Sequence, residues 1–184
     1  MRTEQVKIYK FEELSDEAKE KAIEEFRGTN LDSDWWDFIY EDARNVDLKI
    51  TGFDTGRGNR INIEFYGLAK DTAESILREH GDDTETYKLA KEFIKTNNFL
   101  QNTIEVYTEL LEETELGYEQ ERYAENLKFH DDKMGSLSDE FLKDLGEECL
   151  SILKDEAEYL QSDEAIIETI EANEYEFLQD GERY

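Results

Sequence analysis

Read from its N-terminus, the chain changes the spacing of its apolar positions several times. Val6-Lys7-Ile8-Tyr9-Lys10-Phe11 alternates with a period of two, which predicts a short strand with Val6, Ile8 and Lys10 on one side and Lys7, Tyr9 and Phe11 on the other. From Ser15 the spacing becomes helical. Ala18, Ala22, Ile23 and Phe26 form one stripe, Ser15 supplies an N-cap, Asp16 and Glu17 sit where the helix dipole favours negative charge, and Gly28 stops the helix. A second helix, capped by Asp32, Ser33 or Asp34, runs through Trp35, Trp36, Phe38, Ile39 and Ala43. Val46 to Phe53 and Arg60 to Tyr66 then read as two strands around the turn-rich Asp54-Thr55-Gly56-Arg57-Gly58-Asn59, a β-hairpin.

From Leu68 the period is helical to near the end. Helices are expected over Leu68 to His80, Thr84 to about Glu115 with a break near Thr96-Asn97-Asn98, and Gly117 to Phe129. The polar segment His130 to Ser136 reads as a loop before a helix starting near Ser138. At 100° per residue that helix places Leu142, Leu145, Cys149, Ile152, Leu153 and Leu160 in one arc. Glu140, Asp144, Glu147, Glu148, Asp155 and Glu158 fall opposite, with Glu156 awkwardly inside the apolar arc. Burial is expected for Leu145, Cys149 and Ile152, and exposure for Asp144, Glu147 and Glu158. Ser162-Asp163-Glu164 opens a last helix to about Asn173, and Tyr175 to Leu178 returns as a strand that rejoins the N-terminal sheet. Ser-Asp-Glu thus recurs at Ser15, Ser138 and Ser162 as a helix start, at intervals too irregular for a repeat. The fold class is α+β: a small antiparallel sheet packed on helices, with a mostly helical acidic C-terminal part. The chain reads as one domain, with a mixed part over 1–67 and an acidic helical part over 68–184.

Charge sharpens this picture. The chain holds 49 Asp+Glu against 21 Lys+Arg, a formal charge of −28. Residues 1–67 carry 16 acids and 10 bases, leaving 33 acids and 11 bases, or −22, for residues 68–184. Self-repulsion of this size opposes compaction, but 22 aromatic residues and 38% hydrophobics are enough to fold. Such a field disfavours nucleic acid as a direct ligand and favours a basic partner. Salt adaptation is a weaker account, because the 32 Glu to 17 Asp follow helix propensity more than solvation. The absence of proline lets helices run on, and the single cysteine, Cys149, excludes an intrachain disulfide. No apolar run approaches a membrane span and the N-terminus shows no signal region, so a cytoplasmic protein is expected.

Candidate chemistry is sparse. His80 with Asp82 and Asp83, and His130 with Asp131 and Asp132, suggest a metal-dependent phosphohydrolase, but both histidines also read as helix ends followed by turn residues. Asp32-Ser33-Asp34-Trp35-Trp36-Asp37 lacks the central glycine and distal glutamate of an EF-hand. Trp35 and Trp36 read as packing residues, one in the core and one partly exposed. The basic loop Thr55 to Arg60 is followed by a strand, whereas a phosphate-binding loop needs a helix N-terminus there. Cys149 reads as core. No nucleophile motif occurs, so no catalytic residue, metal or cofactor is expected and the protein reads as non-enzymatic. What remains is the acidic surface: residues 101–184 hold 26 acids and 6 bases.

Three segments carry a family resemblance: Tyr9-Lys10-Phe11-Glu12-Glu13-Leu14-Ser15-Asp16-Glu17-Ala18-Lys19-Glu20-Lys21-Ala22, Trp36-Asp37-Phe38-Ile39-Tyr40-Glu41-Asp42-Ala43, and Ile61-Asn62-Ile63-Glu64-Phe65-Tyr66-Gly67. Over about residues 1–67, joined by Ala172 to Phe177, the chain resembles small bacteriophage and prophage proteins often labelled antitoxin of a toxin–antitoxin stability system. The resemblance implies a phage or mobile-element origin and action inside a bacterial cell, and it brings no catalytic motif. Joined to the charge, it leads to a phage-encoded anti-defence inhibitor that occupies the basic surface of a nucleic-acid-processing host protein as a nucleic-acid mimic. Its contact residues are expected to be Glu140, Asp144, Glu147, Glu148, Asp155 and Glu158. An antitoxin for a basic toxin is the alternative, a metal-dependent hydrolase using His80, His130 and Asp131 a lesser one, and a homodimer is left open.

Overall fold

Ser15 caps the first helix as its sequence context predicts: its Oγ accepts from the Ala18 N–H at 3.3 Å, and α1 runs Asp16–Phe26. The computed structural model describes residues 6–31, 34–114 and 117–184. Along these the order is β1 (Tyr9–Lys10), α1, α2 (Asp37–Asn45), β2 (Leu48–Asp54), β3 (Arg60–Phe65), α3 (Ala69–Glu79), α4 (Glu85–Glu113), α5 (Tyr118–Leu160), α6 (Asp163–Ala172) and β4 (Glu176–Phe177). The α+β class therefore holds, but the strands form two separate antiparallel pairs, β1 with β4 and β2 with β3, instead of one sheet. Contacts divide the chain into two compact units, Met1–Asp37 with Leu153–Tyr184, and Phe38–Ile152. The step in composition near residue 67 is a step in charge, and the contacts divide elsewhere.

The first unit joins the two ends of the chain. The stripe of α1 packs with Phe11, Leu14, Ile166, Ile170 and Phe177 into one core, and complete burial of a side chain such as Phe177 contributes about 1.5–3 kcal/mol. The predicted strand 6–11 shortens to Tyr9–Lys10, because Phe11 turns into a 3₁₀ helix (Phe11–Glu13) to reach this core while Val6 and Ile8 stay exposed. The returning strand is found where expected, with Tyr9 opposite Phe177 and Lys10 opposite Glu176. Gly181, at φ +86°, closes the final turn; a Cβ there would run into the Ala18 carbonyl. Arg27 ties α1 to the start of α6, donating to the Gln161 carbonyl at 3.0 Å and to Asp163 at 2.9 Å. Trp35 and Trp36 meet edge to face at 5.6 Å, and both are half-buried, so neither takes the core place expected for one of them. The expected caps Asp32 and Ser33 lie outside the described residues. Asp34 accepts from the Asp37 N–H through its carbonyl at 3.0 Å, and α2 begins at Asp37.

In the second unit the β2–β3 hairpin has its turn organised by Asp54, whose carboxylate accepts from the Gly56 and Gly58 N–H groups. The hairpin lies against α5 where Gly146 leaves room; a Cβ at that position would stand 3.2 Å from Ile63 Cδ1. Phe141 stacks between Phe65 at 6.0 Å and Phe93 at 4.4 Å, joining hairpin, α4 and α5. α4 is unbroken across Thr96-Asn97-Asn98, and Asn97 is itself buried. The predicted loop His130 to Ser136 is helical, part of one 43-residue helix. Tyr107 of α4 reaches both Tyr123 at 6.2 Å and His130 at 5.7 Å, so ring packing holds α5 as far as the first residue of the segment where turn-type residues suggest a break. Ser138 is consequently no cap. Its hydroxyl bonds back to the Met134 carbonyl at 3.2 Å.

Candidate functional site

The acidic face of α5 follows from its apolar one. Phe141, Leu145, Cys149, Leu150, Leu153 and Ala157 are buried, a stripe at helical spacing that turns the opposite side to solvent. Leu142 and Leu160 are half-buried, and Ile152, expected in the core, is 39% exposed. At 100° per residue Ile152 lies at the edge of the buried arc, which is centred further round than the leucines alone suggest. Glu156 falls between Leu145 and Cys149 on the same projection and is half-buried.

Within the second unit Glu140 and Glu147 are exposed, and Asp144 is half-buried between them. Their Cα atoms span about 10 Å along the axis. Glu147 pairs with Lys143 at 3.2 Å. Among the described residues Glu140 and Asp144 have no Lys or Arg partner. Glu148 is half-buried and turns away from this group into a cavity. Asp155 and Glu158 belong to the first unit, where both are exposed.

That cavity, about 680 Å³, lies in the second unit between α2, the end of α3, the start of α4 and α5. Its floor is apolar: Ile39, Val46, Leu48, Ile76 and Leu145, all buried. Glu41, Asp42, Glu79, Glu85 and Glu148 bring five carboxylates to its lining. His80 caps the C-terminus of α3, as its position in the sequence suggests, but its ring is only 12% exposed and also lines the cavity. Thr84 donates its hydroxyl to the Gly81 carbonyl at 2.7 Å, and Thr86 donates to Thr84 Oγ at 3.3 Å. Thr86 Oγ also shares a hydrogen bond with His80 Nδ1 at 2.7 Å, whose donor is set by the ring tautomer. Nε2 is buried without a hydrogen-bond partner. The Asp42 carboxylate stands 3.5 Å from it, within reach of charge attraction but too long for a good hydrogen bond. Cys149 lies beside them, its thiol pushed up to about 12 by burial and then by the negative charges of Asp42 and Glu148.

No family model, curated protein or solved structure matches this chain.

The histidine–carboxylate chemistry suggested by the sequence is not assembled. His80 faces Asp42, while His130 lies inside α5 against Tyr107 and Phe129. Among the described residues no three His, Cys, Asp or Glu side chains are grouped to hold a metal ion. Asp42 carries no signal in the sequence. It looks like any exposed acid of an amphipathic helix, and only the fold brings it to a histidine 38 positions away. Among the described residues no helix is long and apolar enough to cross a membrane.

Proposed function

We propose that this protein is a phage-encoded acidic inhibitor that acts inside a bacterial cell by occupying the basic surface of a nucleic-acid-binding host protein. The observation that supports the reading is the outward face of α5, where Glu140 and Asp144 stand without cationic partners on a rigid helix. Neighbouring carboxylates at this spacing follow one another at about 5 Å along the axis, the same order as the 3.4 Å rise per phosphate of one DNA strand. The charge exceeds what solubility needs, since a net charge of about 2–8 suffices for a small domain and this chain carries −28. A basic groove that reads phosphates gains affinity by releasing counterions, and a carboxylate array releases its own in the same way. Asp155 and Glu158 add a second acidic stretch on the first unit.

The test uses the whole protein as bait in host lysate at low and moderate salt, followed by competition with duplex DNA. The expected partner is displaced by DNA, and the triple variant Glu140→Gln, Asp144→Asn, Glu147→Gln binds it at least about tenfold more weakly while keeping its fold. Equal binding by the folded variant would return this face to a solvated surface. A partner that ignores DNA and is toxic when expressed alone would favour an antitoxin instead.

A further inference from the structure

We infer that a second copy of this chain packs, about a two-fold axis, on the outward face shared by α4 and α5. From Gln101 to Glu140 no described residue is buried, although α4 and α5 supply helix on both sides of the stretch. Helices in proteins owe most of their stability to packing, so a two-helix hairpin without a core has little to hold it, whereas four helices enclose one. Phe93 stacks on Phe141, and Tyr107 reaches both Tyr123 and His130. These contacts set which residues of the two helices are level and mark the sides on which the helices meet. Projected from them at 100° per residue, Phe99, Val106 and Glu109 of α4 fall on the same side of the pair as Arg122, Phe129 and Lys133 of α5. Phe99, Val106 and Phe129 are 66%, 53% and 54% exposed. The opposite side carries Glu105, Thr108 and Glu112 with Ala124, Lys128 and Asp131, so only one side of the hairpin is apolar.

A two-fold interface must be complementary to itself. With both helix pairs pointing the same way, α4 of one copy faces α5 of the other, and residues at one level meet. Val106 is then set against Phe129, and Glu109 and Glu113 flank Arg122. Further along the same face Lys95 comes opposite Glu140, and Lys88 opposite Asp144 and Glu147. The face is open for this, since Lys88, Lys95, Glu140 and Glu147 are exposed. Charge decides between a second copy and a basic protein as the occupant. Residues 101–140 hold 12 acids and 3 bases, and two of those bases, Arg122 and Lys133, lie on this face. Within their own chain they rest on the Tyr123 and Phe129 rings, at 5.2 and 4.8 Å. A basic surface repels them, whereas a second copy brings carboxylates to Arg122 and lysines to the acids. On the function proposed above, the pairing also covers Glu140 and Asp144, so the host protein competes with the second copy for them.

Sedimentation equilibrium of the full chain should give the mass of two chains, with a dissociation constant on the order of 10 μM or below. Val106→Asp, made at an exposed position, should keep the helical circular dichroism and raise that constant at least about tenfold. Arg122→Glu should weaken the dimer about tenfold, and so should the double variant Glu109→Lys, Glu113→Lys. Mixing these two variants should restore the parent's affinity, because the mixed dimer has opposite charges at both crossings. A parent that stays a single chain at about 100 μM would overturn the proposal and leave the face to another protein. An unchanged constant in folded Val106→Asp, or a mixture no tighter than its components, would overturn it as well. No host protein takes part in this measurement, so its failure leaves the function proposed above standing.

Discussion

The thiol of Cys149 is a small group buried in the core. Burial opposes its ionisation, and Asp42 and Glu148 add repulsion, so the folded protein holds the proton to about pH 12 where an ordinary cysteine releases it near 9.0. The unfolded chain therefore gains from ionising first. The contribution of this group is constant below about pH 9 and falls as pH rises toward 12, by up to about 1.4 kcal/mol per unit. Urea unfolding between pH 8 and pH 10.5 should show a steeper loss of stability for the parent than for Cys149→Ala. Alkylation by iodoacetamide at pH 8 should be slow until denaturant is added. Equal slopes in the two proteins, or rapid alkylation of the folded parent, would contradict the burial of this thiol.

At the level of elements, one tripeptide adopts two roles. Ser15 and Ser162 each accept from the backbone N–H three residues on, whereas Ser138 lies within α5 and bonds back to Met134. Ser15→Ala and Ser162→Ala should each cost about 1 kcal/mol, and Ser138→Ala should be neutral or stabilising by a few tenths, in parallel urea titrations. A loss of about 1 kcal/mol at Ser138 would mean that a helix begins there after all. The contrast also shows what was legible in the sequence. Caps, hairpin and the broad face of α5 are local, encoded in spacing and side-chain chemistry within a few residues. The continuity of α5 is not local: His130, Asp131, Asp132, Gly135 and Ser136 favour a turn, and contacts such as His130 on Tyr107 accompany the helix that replaces it. The cavity was less legible still. The helix end at His80 is visible in the sequence, but its pairing with Asp42 depends on the packing of α2 and α3 within the second unit.

For the molecule as a whole, repulsion among 49 acids outweighs what ion pairs return. Pairs such as Lys143–Glu147 are exposed and contribute about 0–1 kcal/mol each. Raising the ionic strength from about 10 mM to about 150 mM shortens the screening length from roughly 30 Å to roughly 8 Å, so both repulsion and attraction weaken. With acids outnumbering bases 49 to 21, relief of repulsion wins and the thermal midpoint should rise. A gain of 1 kcal/mol would appear as about 2–4 °C in a chain of this size. A falling midpoint would show that ion pairs dominate.

The closure of the first unit from both chain ends has a temporal consequence. On the ribosome, Phe11 and the stripe of α1 emerge early, while their partners Ile166, Ile170 and Phe177 follow 140 to 166 residues later, from Phe26–Ile166 to Phe11–Phe177. At about 5–20 residues per second the first helix waits on the order of 10–30 s for its core to be completed. The second unit is contiguous from Phe38 to Ile152 and depends on no later segment for its own contacts. Synthesis thus favours an inside-out order of assembly, with the middle of the chain folded before its beginning. During that interval the unpaired N-terminal helix is the part of the nascent protein most open to proteases and chaperones.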